Sequence, residues 1–135
     1  MKYMLIKTNK EEKIVMRRII KLNKECTFEA AHFIPNHIKC GVLHGHSYRV
    51  GISIVGSFNS KDGMFVDFGE IKKIICKFDH VNLNKYFKFP SAENLAIYFA
   101  LKIARLNRNI FSVTVTVFET ESACATFTYT NPIFV

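Results

Sequence analysis

The stretch Ser47-Tyr48-Arg49-Val50-Gly51-Ile52-Ser53-Ile54-Val55-Gly56-Ser57 alternates in chemistry with a period of two. Tyr48, Val50, Ile52 and Ile54 point one way, and Arg49, Gly51 and Ser53 the other, which is the pattern of a strand with one buried face. Upstream, Ile14 to Ala31 reads as another strand, of irregular alternation, behind a charged start. Downstream, Ser57 to Gly63 is turn chemistry; its Asp62-Gly63 pair is the strongest hairpin signal in the chain and predicts a short strand through Phe65. The period then changes. Phe68, Ile71, Ile74, Ile75 and Phe78 recur at helical spacing behind Asp67, which with Glu70 forms an acidic variant of the capping box.

Pro90 and Ser91 start a second helix, which runs to about Asn107 and carries Leu95, Phe99, Ile103 and Leu106 as one stripe. Val113, Val115 and Val117 alternate with Thr114 and Thr116 in a further strand, and Thr126 to Thr130 reads as the last. Strands, two helices and strands again predict an α+β domain, with both helices on one face of an antiparallel sheet. At 135 residues, 49% hydrophobic and 22% charged, the chain is expected to form one domain with one core. That composition excludes wholesale disorder and collagen-like order.

No apolar run reaches the roughly 18 residues of a spanning helix. The longest, Leu95 to Ile103, is broken by Lys102, and the hydrophobic part of Met1 to Lys7 is too short for a secretory signal. A soluble, cytoplasmic protein without a membrane partner is expected. Nineteen Lys and Arg against eleven Asp and Glu give a formal charge of +8, which suits anionic partners such as a phosphorylated small molecule. The surplus is dispersed: eight of the nineteen cations fall within the first 24 residues, interleaved there with Glu11 and Glu12. Without a block of like charge, a nucleic-acid partner is not expected. Cys26, Cys40, Cys76 and Cys124 form neither a Cys-x-x-Cys pair nor an even framework, so reduced thiols fit better than disulfides or a zinc ribbon.

His44 and His46 flank Gly45 where the Ser47 strand begins, and residues two apart on a strand share a face, so both imidazoles can reach one ion. His32 ends the preceding strand and could give a third nitrogen; on spacing alone His37 could replace it. Three imidazoles with an open fourth position is the arrangement of a catalytic zinc, although surface or core histidines account for the same spacing. Cys40 lies four residues before His44 and is either a buried loop cysteine or, near an imidazole, a usable base or nucleophile. Asp79-His80 is a polar helix exit or a proton-relay unit, with the reservation that adjacent residues do not usually bond face to face. Glu119 closes the valine-rich strand; it is an exposed charge, or a carboxylate able to accept two parallel N–H bonds from an amino-imino heterocycle edge. Ser91 and Glu93 form a helix start by default and a ligand loop if they face a pocket.

Six ordered motifs resemble one family: Phe28-Glu29-Ala30-Ala31-His32-Phe33, Cys40-Gly41-Val42-Leu43-His44-Gly45-His46-Ser47-Tyr48, Val66-Asp67-Phe68, Asp79-His80-Val81-Asn82-Leu83-Asn84, Pro90-Ser91-Ala92-Glu93-Asn94-Leu95 and Phe118-Glu119-Thr120. Together they resemble the 6-pyruvoyltetrahydropterin synthase family over about residues 20 to 130. The three residues between Cys40 and His44 are similar to its 6-carboxytetrahydropterin synthase branch, which serves the queuosine pathway.

The resemblance implies a tunnelling fold, in which ββααββ subunits build an oligomeric barrel, commonly a homohexamer of two trimers with sites at subunit interfaces. It further implies Zn2+ on His32, His44 and His46, Cys40 as proton-abstracting thiolate, and Asp79 and His80 as its relay. Glu119 would anchor a pterin, with Ser91, where the family often has Thr, and Glu93 as further substrate contacts. The implied activity is that of a lyase converting 7,8-dihydroneopterin triphosphate to 6-carboxytetrahydropterin, with release of acetaldehyde and triphosphate. Alternatives are the pyruvoyl-forming enzyme of biopterin synthesis and a non-catalytic pterin- or purine-binding module. Residues 1–16 fall outside the pattern as an N-terminal extension of the 1–135 domain.

Overall fold

The computed structural model describes residues 2–7 and 12–134, with side chains from Arg18 onward. Its main sheet has five strands in the order β5-β3-β4-β6-β7. Strands β3 (Ile19–His32), β4 (His44–Ser57), β6 (Ile110–Phe118) and β7 (Cys124–Thr130) are antiparallel to their neighbours. The two-residue strand β5 (Val81–Asn82) joins β3 in parallel through Ala30 and Ala31, so the sheet is mixed where a wholly antiparallel one was expected. Strands β1 (Lys2–Lys7) and β2 (Glu12–Arg17) pair in a separate two-stranded sheet within and just beyond the first 16 residues. The strand expected from Ile14 to Ala31 is therefore two strands, divided at Arg18.

Period-two alternation decides which face is covered. Cys26, Phe28 and Ala30 of β3, Tyr48, Val50, Ile52 and Ile54 of β4, and Val113, Val115 and Val117 of β6 are buried. The helices α1 (Phe68–Cys76) and α2 (Ala92–Ala104) cover them with Ile71 and Ile75, and with Leu95, Ala96, Phe99, Ala100 and Ile103. Asp67 caps α1 by accepting from the Gly69 N–H at 2.7 Å, and Ser91 caps α2 by accepting from the Asn94 N–H at 3.2 Å. Both caps satisfy backbone donors that a helix leaves free at its start. An aromatic column runs down the core: Phe28 stacks on Tyr48 at 4.7 Å, meets Phe99 edge-on at 6.1 Å, and Phe99 contacts Phe78 at 5.8 Å.

The hairpin expected at Asp62-Gly63 does not form. Gly63 does take the left-handed backbone, at φ 79°. However, β4 is already paired along one edge by β3 and along the other by β6, which leaves no ladder for another strand. Phe65 and Val66 instead bury in an irregular segment, held where the Asn107 side chain donates to the Phe65 carbonyl at 3.0 Å. Phe65 packs so closely over β4 that a Cβ on Gly56 would stand 2.3 Å from its ring.

Candidate metal centre and adjoining cavities

The alternation that sinks Phe28 and Ala30 into the core also sends the next residue in phase, His32, to the same side. On β4 the same phase runs backward from Tyr48 through His46 to His44. Antiparallel register sets His32 opposite His44 and Ala30 opposite His46. The three rings form a near-equilateral triangle, with centroids 4.7, 5.0 and 4.8 Å apart. One ring nitrogen from each lies within 4.8 Å of the others, a group able to hold a metal ion. His32 is 1% exposed, so this polar cluster is continuous with the core.

Hydrogen bonding fixes how two of the rings present themselves. His32 Nδ1 lies 2.7 Å from the Pro90 carbonyl and His44 Nδ1 lies 2.6 Å from the Val42 carbonyl. A carbonyl can only accept, so each Nδ1 carries the proton and donates it. In the neutral rings both Nε2 atoms then offer lone pairs, and they face each other at 3.1 Å. His46 Nε2 is buried without a hydrogen-bond partner. Burial pulls the pKa of His46 below 6.5, with His32 and His44 adding to the effect and Glu119 opposing it. Converging lone pairs on neutral imidazoles are what a divalent cation requires, and the carbonyls behind them are the outer partners such ligands use.

Tyr48 was not singled out in the sequence as a site residue, but its hydroxyl lies 3.2 Å from His32 Nδ1. Burial raises its pKa and keeps it a neutral phenol. His37, the alternative third ligand, lies elsewhere: its Nδ1 accepts the Cys40 N–H at 2.8 Å within the loop between β3 and β4. In that loop the Gly41 N–H donates to the His37 carbonyl at 2.9 Å, and a Cβ on Gly41 would stand 2.3 Å from the same oxygen. Glycine is what allows the turn that presents Cys40.

Cys40, Ser91, Glu93 and Glu119 line one cavity of about 330 Å³, together with His37 and Cys124. Glu119 joins this cavity to the histidines, with Oε1 3.4 Å from His46 Nε2 and Oε2 3.9 Å from His32 Nε2. The turn that follows β6 orients it, as the Glu119 N–H donates to the Ala123 carbonyl at 3.0 Å. Asp79 and His80 lie apart from Cys40. His80 lines a second cavity, of about 470 Å³, with Glu29, Gly45, His46 and Ser47. Contrary to the expectation for neighbours in sequence, Asp79 Oδ2 and His80 Nδ1 meet at 3.0 Å, because His80 adopts a left-handed backbone at φ 59°. Glu29 clamps the pair by its main chain: its N–H donates to Asp79 Oδ1 at 2.9 Å, and its carbonyl accepts from the His80 N–H at 2.6 Å. That N–H, ahead of the His80 contact, holds the exposed Asp79 carboxyl below its usual range.

A three-imidazole cluster able to hold a metal ion, at one end of a helix-backed sheet and beside a cavity, defines an α+β domain with a candidate metal centre. The chain belongs to the 6-pyruvoyl tetrahydropterin synthase family, whose model matches residues 21–130. It is 38% identical over 93 residues, 66% of this chain and 80% of the relative, to an Archaeoglobus fulgidus protein provisionally named a 6-carboxy-5,6,7,8-tetrahydropterin synthase. It is 31% identical to the Rickettsia typhi 6-carboxy-5,6,7,8-tetrahydropterin synthase, covering 77% of this chain and 96% of that one. Among solved structures, the Caenorhabditis elegans 6-pyruvoyl tetrahydropterin synthase is similar at a TM-score of 0.66 and 27% identity, over 87% of this chain and 99% of that one. The subunit of the tunnelling fold expected from the sequence is the fold observed, as an open five-stranded sheet backed by two helices.

Proposed function

We propose that the chain is a zinc-dependent 6-carboxy-5,6,7,8-tetrahydropterin synthase, a lyase that converts 7,8-dihydroneopterin triphosphate and one water to 6-carboxytetrahydropterin with release of acetaldehyde and triphosphate. The observation that carries this reading is the convergence of His32, His44 and His46 beside a cavity that contains Cys40 and Glu119. The names of the curated relatives support the carboxy-forming activity.

His32, His44 and His46 would hold the zinc, which as Lewis acid would polarise side-chain oxygens of the substrate and acidify the neighbouring C–H bonds. Glu119 accepts two N–H bonds from the pterin edge, with Ser91 and Glu93 as further contacts on the same cavity wall. This fixes the ring so that only the side chain reaches the imidazoles. Cys40 as thiolate takes a proton from the side chain, and His80, oriented by Asp79, returns one elsewhere.

Cys40 and His80 line separate cavities of one chain, which supports assembly of the working site from neighbouring subunits. Two features favour an oligomeric barrel. Among the described residues, β7 is an edge strand, and β3 is covered on its outer side only at Ala30 and Ala31. Such edges favour continuation of the sheet from chain to chain. We assign a homohexamer, with residues 1–16 as an extension of a single domain. Four free cysteines fit a reducing cytoplasm, and among the described residues no helix is long and apolar enough to cross a membrane.

The pyruvoyl-forming reaction is the second reading, favoured by the likeness to the Caenorhabditis elegans enzyme. Incubating zinc-loaded protein with dihydroneopterin triphosphate, followed by mass analysis of the pterin and an aldehyde trap, separates the two. The carboxy product with trapped acetaldehyde is expected. A pyruvoyl product without acetaldehyde would favour the second reading, and unchanged substrate would favour a binding module.

A further inference from the structure

We propose that Glu119 is a fourth ligand of the resting metal centre, and that a pterin ring draws this carboxylate off the ion as it binds. The inference rests on the metal centre proposed above and concerns what fills its remaining position.

Geometry carries the argument. A tetrahedral zinc with nitrogen at about 2.0–2.1 Å and oxygen at about 2.0–2.2 Å has ligand atoms about 3.3–3.5 Å apart. Here His32 Nε2 and His44 Nε2 are 3.1 Å apart, Glu119 Oε1 and His46 Nε2 3.4 Å, and Glu119 Oε2 and His32 Nε2 3.9 Å. These separations lie around the edge of one such tetrahedron, with the two carboxylate oxygens each turned to a different imidazole, while the three ring nitrogens spread over as much as 4.8 Å and would draw together on an ion.

The surroundings point the same way. Among the described residues, the ion-pair partners of the Glu119 carboxylate are His32 and His46, with no Lys or Arg paired to it, and the neutral Tyr48 hydroxyl lies within its electrostatic reach. Protons on Nδ1 leave the Nε2 of His32 as a lone pair toward the carboxylate, and His46 Nε2 is buried with no hydrogen bond. A partly buried carboxylate held against the lone pair of His32 Nε2 repels it unless a cation lies between.

Glu119 also lines the cavity that contains Cys40 and Ser91, so it has two competing uses. On the ion it closes the coordination shell and keeps out water and stray anions. Paired with an amino-imino edge it turns toward the ring and frees a position for the side-chain oxygens. Recognition of the heterocycle would thereby open the metal, and a polyol without the ring would meet a closed one.

The test uses the full-length protein loaded with Co2+, read by its visible absorption, with azide as a small probe anion. The Glu119→Gln variant keeps the shape of the side chain but is a poor ligand. Azide should shift the cobalt bands of Glu119→Gln at a concentration on the order of tenfold lower than for the unaltered protein. A pterin unsubstituted at C6 should sensitise the unaltered protein to azide and leave the variant unmoved. Equal azide response in both proteins, unaffected by the pterin, would overturn the inference while leaving the three-histidine centre intact. Failure of both proteins to take up cobalt would overturn the metal centre, and this inference with it.

Discussion

The histidine corner and the Asp79-His80 turn lie against the same end of β3, yet they are built differently. The corner is complete within one chain: its three rings come from two paired strands, two of its Nδ1 atoms are held by main-chain carbonyls, and one ring is 1% exposed. The turn is half-finished. Its carboxylate and imidazole are paired at 3.0 Å and clamped by Glu29, but the His80 side chain is 78% exposed and faces a cavity without the thiol it would serve. A metal cluster needs rigid mutual geometry, which neighbouring strands supply. A proton relay needs only to be stiff internally and can be delivered to its partner by a neighbouring subunit.

That contrast can be broken most severely at the corner. His44→Ala should cost more than the roughly 100-fold in metal affinity that loss of an outer partner can cost, and should abolish turnover with it; metal analysis after dialysis reads the first effect. Cys40→Ala should leave metal content unchanged and lower turnover by about 10²–10⁴-fold. Metal loss in Cys40→Ala would move the thiol into the corner. Mixing separately inactive Cys40→Ala and His80→Ala chains, unfolded and refolded together, sharpens the comparison: if each site draws the two residues from different chains, about a quarter of wild-type turnover should return. No recovery would place both in one chain.

Smaller effects test the outer partners. Tyr48→Phe removes the hydroxyl 3.2 Å from His32 Nδ1 and should weaken metal binding by roughly 10-fold, while the ring still stacks on Phe28. The smallest effect concerns pH. His46 has a folded pKa below 6.5, so in the metal-free protein the unfolded chain takes up a proton at a pH where the folded chain does not. Stability should therefore be unaffected by this group above that value. As the pH falls below it, stability should decline by at most about 1.4 kcal/mol per pH unit, and level off below the folded pKa. Denaturant midpoints across this range provide the check, and His46→Gln should flatten the profile.

The parts of the site legible in the sequence are those that depend on local period. His44 and His46 share a face because they are two residues apart, and His32 joins them because it follows Phe28 and Ala30 in phase. Both helices and their caps were legible for the same reason, in the change of period at Asp67 and the Pro90-Ser91 start. What local pattern could not show depends on long-range placement. The Asp62-Gly63 turn carried the right chemistry but found no free strand edge, since β4 is flanked on both sides. The Asp79–His80 contact depends on a left-handed backbone at a non-glycine residue, to which propensity gives no clue. The main-chain clamp of Glu29 and the Pro90 carbonyl behind His32 are 50 and 58 residues from their partners. Tyr48 reads as core because it is core; only the position of its hydroxyl shows a second use.

Anomalous diffraction at the zinc edge, from crystals of the full chain grown with zinc, tests the central claim most directly. A single strong peak per chain is expected, at about 2.0–2.1 Å from one nitrogen of each of His32, His44 and His46. Density at the cluster without an anomalous peak, or a zinc ion bound at other residues while these rings stay empty, would contradict the account.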